Sequence, residues 1–273
     1  MGVRRGRPTL GILGGMGPLA TAAFYRTLVE RTPAHADQAH LPVLIWADPA
    51  VPDRTTALLG EGPSPLPALV EGARWLQQAG ATCIAVPCNT AHAYVEQVAR
   101  ATGAEVLDMI GAALRRAARS GPDVRRVGVL ATRGTRTARL YEQAGERLGL
   151  NIVQVPDDVQ RAYVDPAIRA VKAGATTAHG DDGPERWIGT AAEALRERGA
   201  QVAVAACTEI PLIAGAAARL LPVVDSADAL VERALERLWR PPAEGFVPGY
   251  GGDGVISFAA TDAYRRAGPN LRR

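Results

Sequence analysis

The strongest constraint in this sequence is an internal repeat. "LQQAGATCIAVPCNT" (Leu76–Thr90) aligns with "LRERGAQVAVAACTE" (Leu195–Glu209) at an offset of 119. Leu76 meets Leu195, Gly80 meets Gly199, Ala81 meets Ala200, and Cys88 meets Cys207. Further upstream, "GILGGMGP" is echoed inside "RRVGVLATRGT" (Arg125–Thr135) at an offset of 117, which sets Gly11 on Gly128, Leu13 on Leu130 and Gly17 on Gly134. A period this long is not that of a solenoid unit. It describes two similar lobes.

The contents of each unit set the fold class. Thr9–Gly15, Leu41–Ala47, Ala81–Pro87 and Ala104–Met109 are short apolar runs bounded by Gly, Pro or Asp, and they read as strands. Leu19–Arg31, Ser64–Gly80, His92–Thr102 and Ile110–Ser120 carry helical spacing between them. Buried strands alternating with helices predict an α/β fold of two pseudo-symmetric lobes. Each lobe is a largely parallel sheet flanked by helices. The first lobe spans residues 8–118, and the second spans 119–222. Ser226–Trp239 reads as an amphipathic helix, capped by Ser226, that returns to the first lobe as part of 223–240. Residues 241–273 are Pro/Gly-rich at their start and read as a peripheral extension.

Composition excludes several classes of function. Of 273 residues, 47% are apolar and 22% charged, as in soluble globular chains. The net charge of +3 is partly terminal, in Arg4–Arg7 and Leu271–Arg273, and no basic stripe is interleaved with aromatics, so no nucleic-acid partner is expected. No apolar run reaches membrane-spanning length, and Thr9–Leu13 is too short for a secretory core. Three cysteines make no disulfide framework, and no CxxC or HxxxH suggests a structural metal. A cytoplasmic, reducing setting follows, in which a thiol stays free. The glycines at 11, 14, 15 and 17 do not match the dinucleotide spacing GxGxxG. Such a loop can equally let a carboxylate approach backbone donors.

The repeat gives the cysteines their interest. In parallel α/β sheets, chemistry gathers at the carboxyl ends of strands. Cys88 and Cys207 both stand at such ends, before polar loops. Two thiols facing one cleft could remove a proton from one side of a carbon and return one to the other. Position alone leaves core packing open for each of them, because free cysteine is among the most buried residue types. Cys83 has Val202 as its counterpart and reads as packing. His92 can orient groups near Cys88, and His179 lies in a loop; both also read as ordinary surface or satisfied histidines.

"GILGGMGPLAT", "PDRT", "PCNTAH" and "ACTEIPL" together resemble the aspartate/glutamate racemase family, in its aspartate racemase branch, over about Thr9–Arg240. The resemblance implies two pseudo-symmetric α/β lobes with the active site between the lobes, a homodimer and no cofactor or metal. It implies that Cys88 and Cys207 are the catalytic acid/base pair. Met16 would lie in the loop approaching the substrate, and Arg54 and Lys172 would hold a carboxylate. Asn89, Thr90, Thr132, Gly134, Thr135, Thr208 and Glu209 would line the substrate pocket. Glu209 stands where the glutamate branch usually has histidine, and Gly-Met-Gly replaces that branch's acidic-serine loop. The implied reaction is racemisation of a small acidic amino acid, aspartate before glutamate. The alternatives are cis-trans isomerisation of a dicarboxylate such as maleate, and a non-catalytic small-molecule binding protein.

Overall fold

The computed structural model describes residues 7–175 and 183–240. His179 and the extension at 241–273 lie outside these residues. Among the described residues seven strands form two sheets, and every pairing is parallel. The first sheet has the order β2-β1-β3, with β1 Leu10–Gly14, β2 Val43–Ala47 and β3 Cys83–Ala85. The second has the order β5-β4-β6-β7, with β4 Arg126–Ala131, β5 Asn151–Gln154, β6 Val202–Ala206 and β7 Val223–Asp225. In the first half, the helices are α1 (Pro18–Arg31), α2 (Arg54–Leu58), α3 (Leu66–Gln78), α4 (Val95–Thr102) and α5 (Met109–Ala118). In the second half they are α6 (Arg133–Thr137), α7 (Leu140–Leu148), α8 (Asp157–Val159), α9 (Asp165–Lys172), α10 (Pro184–Glu197), α11 (Gly215–Ala218) and α12 (Ser226–Leu238).

The sequence repeat is also the register of the sheets. Leu10 pairs with Cys83 and Gly11 with Ile84; at the same offsets, Val127 pairs with Val202 and Gly128 with Ala203. The two central glycines share one steric cause. A Cβ on Gly11 would fall 2.9 Å from Ala81 Cβ and 3.3 Å from Leu76 Cδ1. On Gly128 it would fall 2.9 Å from Leu195 Cδ1 and 3.1 Å from Ala200 Cβ. In each half the end of a long helix and the turn after it press on the central strand, and only glycine leaves room. Close packing of this kind tolerates little added volume.

Two helices cross between the halves. α5 follows the first sheet, but its Ile110, Ala113, Leu114 and Ala117 pack with Val127, Val129, Val202 and Val204 of the second. α12 follows the second sheet, yet Leu230, Val231, Ala234 and Leu238 pack with Leu10, Ile12, Phe24 and Leu28 of the first half. This exchange closes both cores and ties the halves together.

Two local expectations change. The segment 104–109 is not a full strand. It makes one parallel bridge, Ile84 with Val106, before Asp108 caps α5 by accepting from Gly111 N at 2.8 Å. The cap of α12 is Asp225, which accepts from Ala227 N at 2.7 Å. Ser226 is instead buried inside the first turn, with its hydroxyl donating to Ala205 O at 2.8 Å. Among the described residues no helix is long and apolar enough to cross a membrane.

Candidate active site

Cys207 directly follows β6, and Cys88 lies three residues past β3. Both thiols, each 7% exposed, line one cleft formed by the carboxyl ends of the two sheets. The cleft is narrow, with about 310 Å³ of empty space including its mouth. The first half contributes Met16, Arg54, Cys88, Asn89 and Thr90; the second contributes Thr132, Lys172, Cys207, Thr208 and Glu209. All ten were expected from the sequence. Gly134 and Thr135, also expected to line the pocket, are not among its lining residues; Thr135 instead hydrogen-bonds Thr90 and Thr132, which are. The cleft also includes Asp53 and Thr55, which the sequence reading missed. Asp53 had a usable signal: it caps α2, accepting from Thr56 N at 2.9 Å, and so sets the start of the helix that carries Arg54 and Thr55.

The two cysteine loops are held differently. Beyond Cys88, the loop turns through a 3₁₀ segment that places His92 beneath it. His92 is buried; its Nδ1 donates to Cys88 O at 2.9 Å, and its Nε2 accepts from Met109 N at 3.3 Å. Those two bonds require the neutral ring. Burial lowers its pKa, outweighing the carbonyl of Cys88 and the charge of Asp108. His92 therefore latches the Cys88 main chain to the start of α5.

Cys207 is held through its sulfur. The thiol donates to Glu209 Oε2 at 2.9 Å, and Thr208 Oγ1 donates to the same oxygen at 3.2 Å. Burial pushes the Cys207 pKa well up and the Glu209 charge adds to it, against a smaller lowering by Lys172. Cys207 is thus a thiol at neutral pH. Lys172 Nζ lies 4.0 Å from the other Glu209 oxygen, Oε1. Burial pulls the Lys172 pKa down, but Cys207 when ionised, the Glu209 carboxylate and Cys88 when ionised together outweigh it, and the net shift is upward. Lys172 is a fixed cation.

Arg54 is the second cation, only 8% exposed. Its Nη1 donates to Val51 O at 3.2 Å and Pro52 O at 3.1 Å, while its Nε is buried with no partner among the described residues. An unpartnered buried guanidinium nitrogen is costly, and an anionic ligand would offset that cost.

Across the cleft the halves meet through hydroxyls. Thr90 Oγ1 lies 2.9 Å from Thr132 Oγ1 and 3.0 Å from Thr135 Oγ1, and Thr132 donates to Thr135 at 3.1 Å. Gly134 permits this approach, since a Cβ there would fall 2.9 Å from both Thr55 Cα and Thr90 Cγ2. Among the described residues no group of three His, Cys, Asp or Glu side chains could hold a metal ion.

A two-sheet α/β fold with paired cysteines and two cations in one cleft defines a class, and comparison with known proteins names it. The Asp/Glu/Hydantoin racemase family model matches residues 13–234. The chain belongs to this family, and its activity is of the amino-acid racemase class. It is similar to a Picrophilus torridus aspartate racemase structure, with 28% identity, a TM-score of 0.73, and 86% of this chain and 96% of that one covered. It is 24% identical to the broad specificity amino-acid racemase RacX of Bacillus subtilis, over 82% of this chain and 95% of the relative. The fold also matches a Francisella tularensis glutamate racemase in complex with D-glutamate, at 17% identity and a TM-score of 0.65, covering 84% of this chain and 80% of that one.

Proposed function

We propose that this chain racemises a small acidic amino acid, aspartate before glutamate, with Cys88 and Cys207 as the two acid/base groups and without pyridoxal phosphate or metal. The observation that carries the reading is that both thiols line the same cleft from opposite sheets. One cysteine, as thiolate, takes the α-proton. The other, as thiol, gives a proton to the opposite face, so the configuration inverts and the two sulfurs exchange protonation states. Cys207 fits the donor role in the resting cleft, since Glu209 holds its proton.

The charges fit the substrate class. Arg54 and Lys172 match two carboxylates, and Glu209 matches an ammonium group. A dicarboxylate lacking an amine, such as maleate, would leave the buried carboxylate of Glu209 without a cationic partner on the ligand. Arg54 and hydroxyls at the cleft wall supply donors for charge that develops on the α-carboxylate as the proton leaves. The reading also takes the enzyme to be a cytoplasmic homodimer.

The test is incubation of the purified chain with L-aspartate in deuterated water, without added cofactor. Formation of D-aspartate carrying deuterium at Cα supports the assignment. No exchange with aspartate, while glutamate exchanges, would move the substrate; no exchange with either would overturn it.

A further inference from the structure

Asn89 follows Cys88 in sequence and was expected to contact substrate. Its side chain is already committed inside the protein. Tyr141 OH donates to Asn89 Oδ1 at 2.6 Å, and Asn89 Nδ2 donates to Ser226 Oγ at 2.9 Å. Ser226 in turn donates to Ala205 O at 2.8 Å. None of the three side chains is more than 2% exposed. Tyr141 comes from α7, Ser226 opens α12, and Ala205 lies on β6 two residues before Cys207.

The direction of every bond in this chain is forced from one end. Ala205 O is a main-chain carbonyl and can only accept, so the single Ser226 proton goes to it. The Ser226 oxygen must then accept, and only the NH₂ side of Asn89 can donate to it. The Asn89 oxygen is therefore turned to Tyr141, which donates. The amide cannot flip without breaking two buried hydrogen bonds. One Asn89 N–H remains, and no described hydrogen bond uses it. Asn89 lines the cleft.

We propose that Tyr141 and Ser226 are positioning residues for the racemisation: they lock Asn89 so that it offers the cleft a donor and never an acceptor, and they moor the Cys88 loop to the strand that leads to Cys207. This rests on the reading above, in which the cleft stabilises charge at an α-carboxylate. A flipped amide would set its oxygen against that charge. The same chain also spans the two halves, so it holds one acid/base loop in register with the other.

Tyr141→Phe and Ser226→Ala test this, with kcat and KM for aspartate, the thermal midpoint, and iodoacetamide labelling of Cys88 relative to Cys83 by peptide mass spectrometry. The expected result for each variant is kcat lowered about tenfold or more with KM changed less than about threefold. Cys88 labelling should rise several-fold while Cys83 is unchanged. If kcat stays within about twofold of wild type at equal folded concentration, the network is structural and the proposal is overturned, whatever the midpoint does. Tyr141→Phe removes one oxygen atom and decides the matter alone if Ser226→Ala does not fold. If wild type racemises neither aspartate nor glutamate, the functional reading fails separately. The labelling ratio then decides the mooring: unchanged Cys88 labelling overturns it.

Discussion

Cys88 and Cys207 occupy the same place in two repeats, yet the chain secures them by different means. The Cys88 loop is fixed through its main chain and its neighbour's amide: His92 binds its carbonyl, and Asn89 is locked to Tyr141 and Ser226. The Cys207 loop is fixed through the thiol itself, by Glu209. The repeat preserved the frame, where Gly11 and Gly128 face the same crowding, and let the loops diverge. Two equal acid/base groups would serve two enantiomers equally. In the mechanism we propose, two unequal ones start the reaction from a defined resting state, with the proton on Cys207.

Short of removing a cysteine, the largest effect should come from breaking that inequality. Glu209→Gln leaves an amide oxygen that can still accept from the Cys207 thiol but removes the negative charge that raises its pKa. The Cys207 pKa should then fall, so labelling of Cys207 by iodoacetamide should begin at lower pH than in wild type. Racemisation should drop by about 100-fold, in the range for loss of a positioned proton-transfer partner. Unchanged pH dependence of labelling would show that Glu209 does not hold the proton.

A smaller effect tests the shared frame. Gly11→Ala drives a methyl against Ala81 Cβ, which cannot turn away, whereas Gly128→Ala meets the mobile end of Leu195 first. Gly11→Ala should cost about 1–3 kcal/mol, as overpacked cores do, and Gly128→Ala less. Urea denaturation of the two variants measures the difference; equal costs would mean that the two glycine sites relax alike.

The smallest effect concerns the one cysteine that breaks the repeat. Cys83 is buried among Leu10, Ile12 and Phe24. Burial first, and the Glu105 charge second, push its pKa from 9.0 to about 11. A raised pKa means that the folded chain keeps the proton longer than the unfolded chain. The stability it contributes is whole below pH 9 and is lost as pH rises toward 11. Cys83→Val installs the residue found at the equivalent position, Val202. Its thermal midpoint should fall less steeply than wild type between those pH values, with activity at neutral pH unchanged. An identical slope would assign the alkaline loss to other groups.

Most of the frame was legible because it is written in short-range terms. The helix-glycine-strand units recur at fixed offsets, and the offsets survive as strand register. The strand at 104–109 was overread: an apolar run beside Asp108 serves equally as a one-residue bridge leading into a capped helix. Ser226 and Asp225 are adjacent good caps, and only packing against β6 shows that the serine is needed elsewhere. The cleft residues were found through motifs. Asp53 and Thr55 were missed because their place depends on α2 meeting α6 across the halves. Asn89 was read as a substrate contact, and nothing local in "PCNTAH" announces Tyr141, 52 residues away, or Ser226, 137 away.

The central claim is that two thiols on opposite sides of one cleft share the proton transfers. It is tested most directly by following both aspartate enantiomers in deuterated water with wild type, Cys88→Ala and Cys207→Ala. The account predicts racemisation with deuterium at Cα in wild type. In each variant it predicts loss of racemisation by about 1,000-fold or more, as for removal of an essential proton-transfer group. Wild-type racemisation by either variant would contradict it.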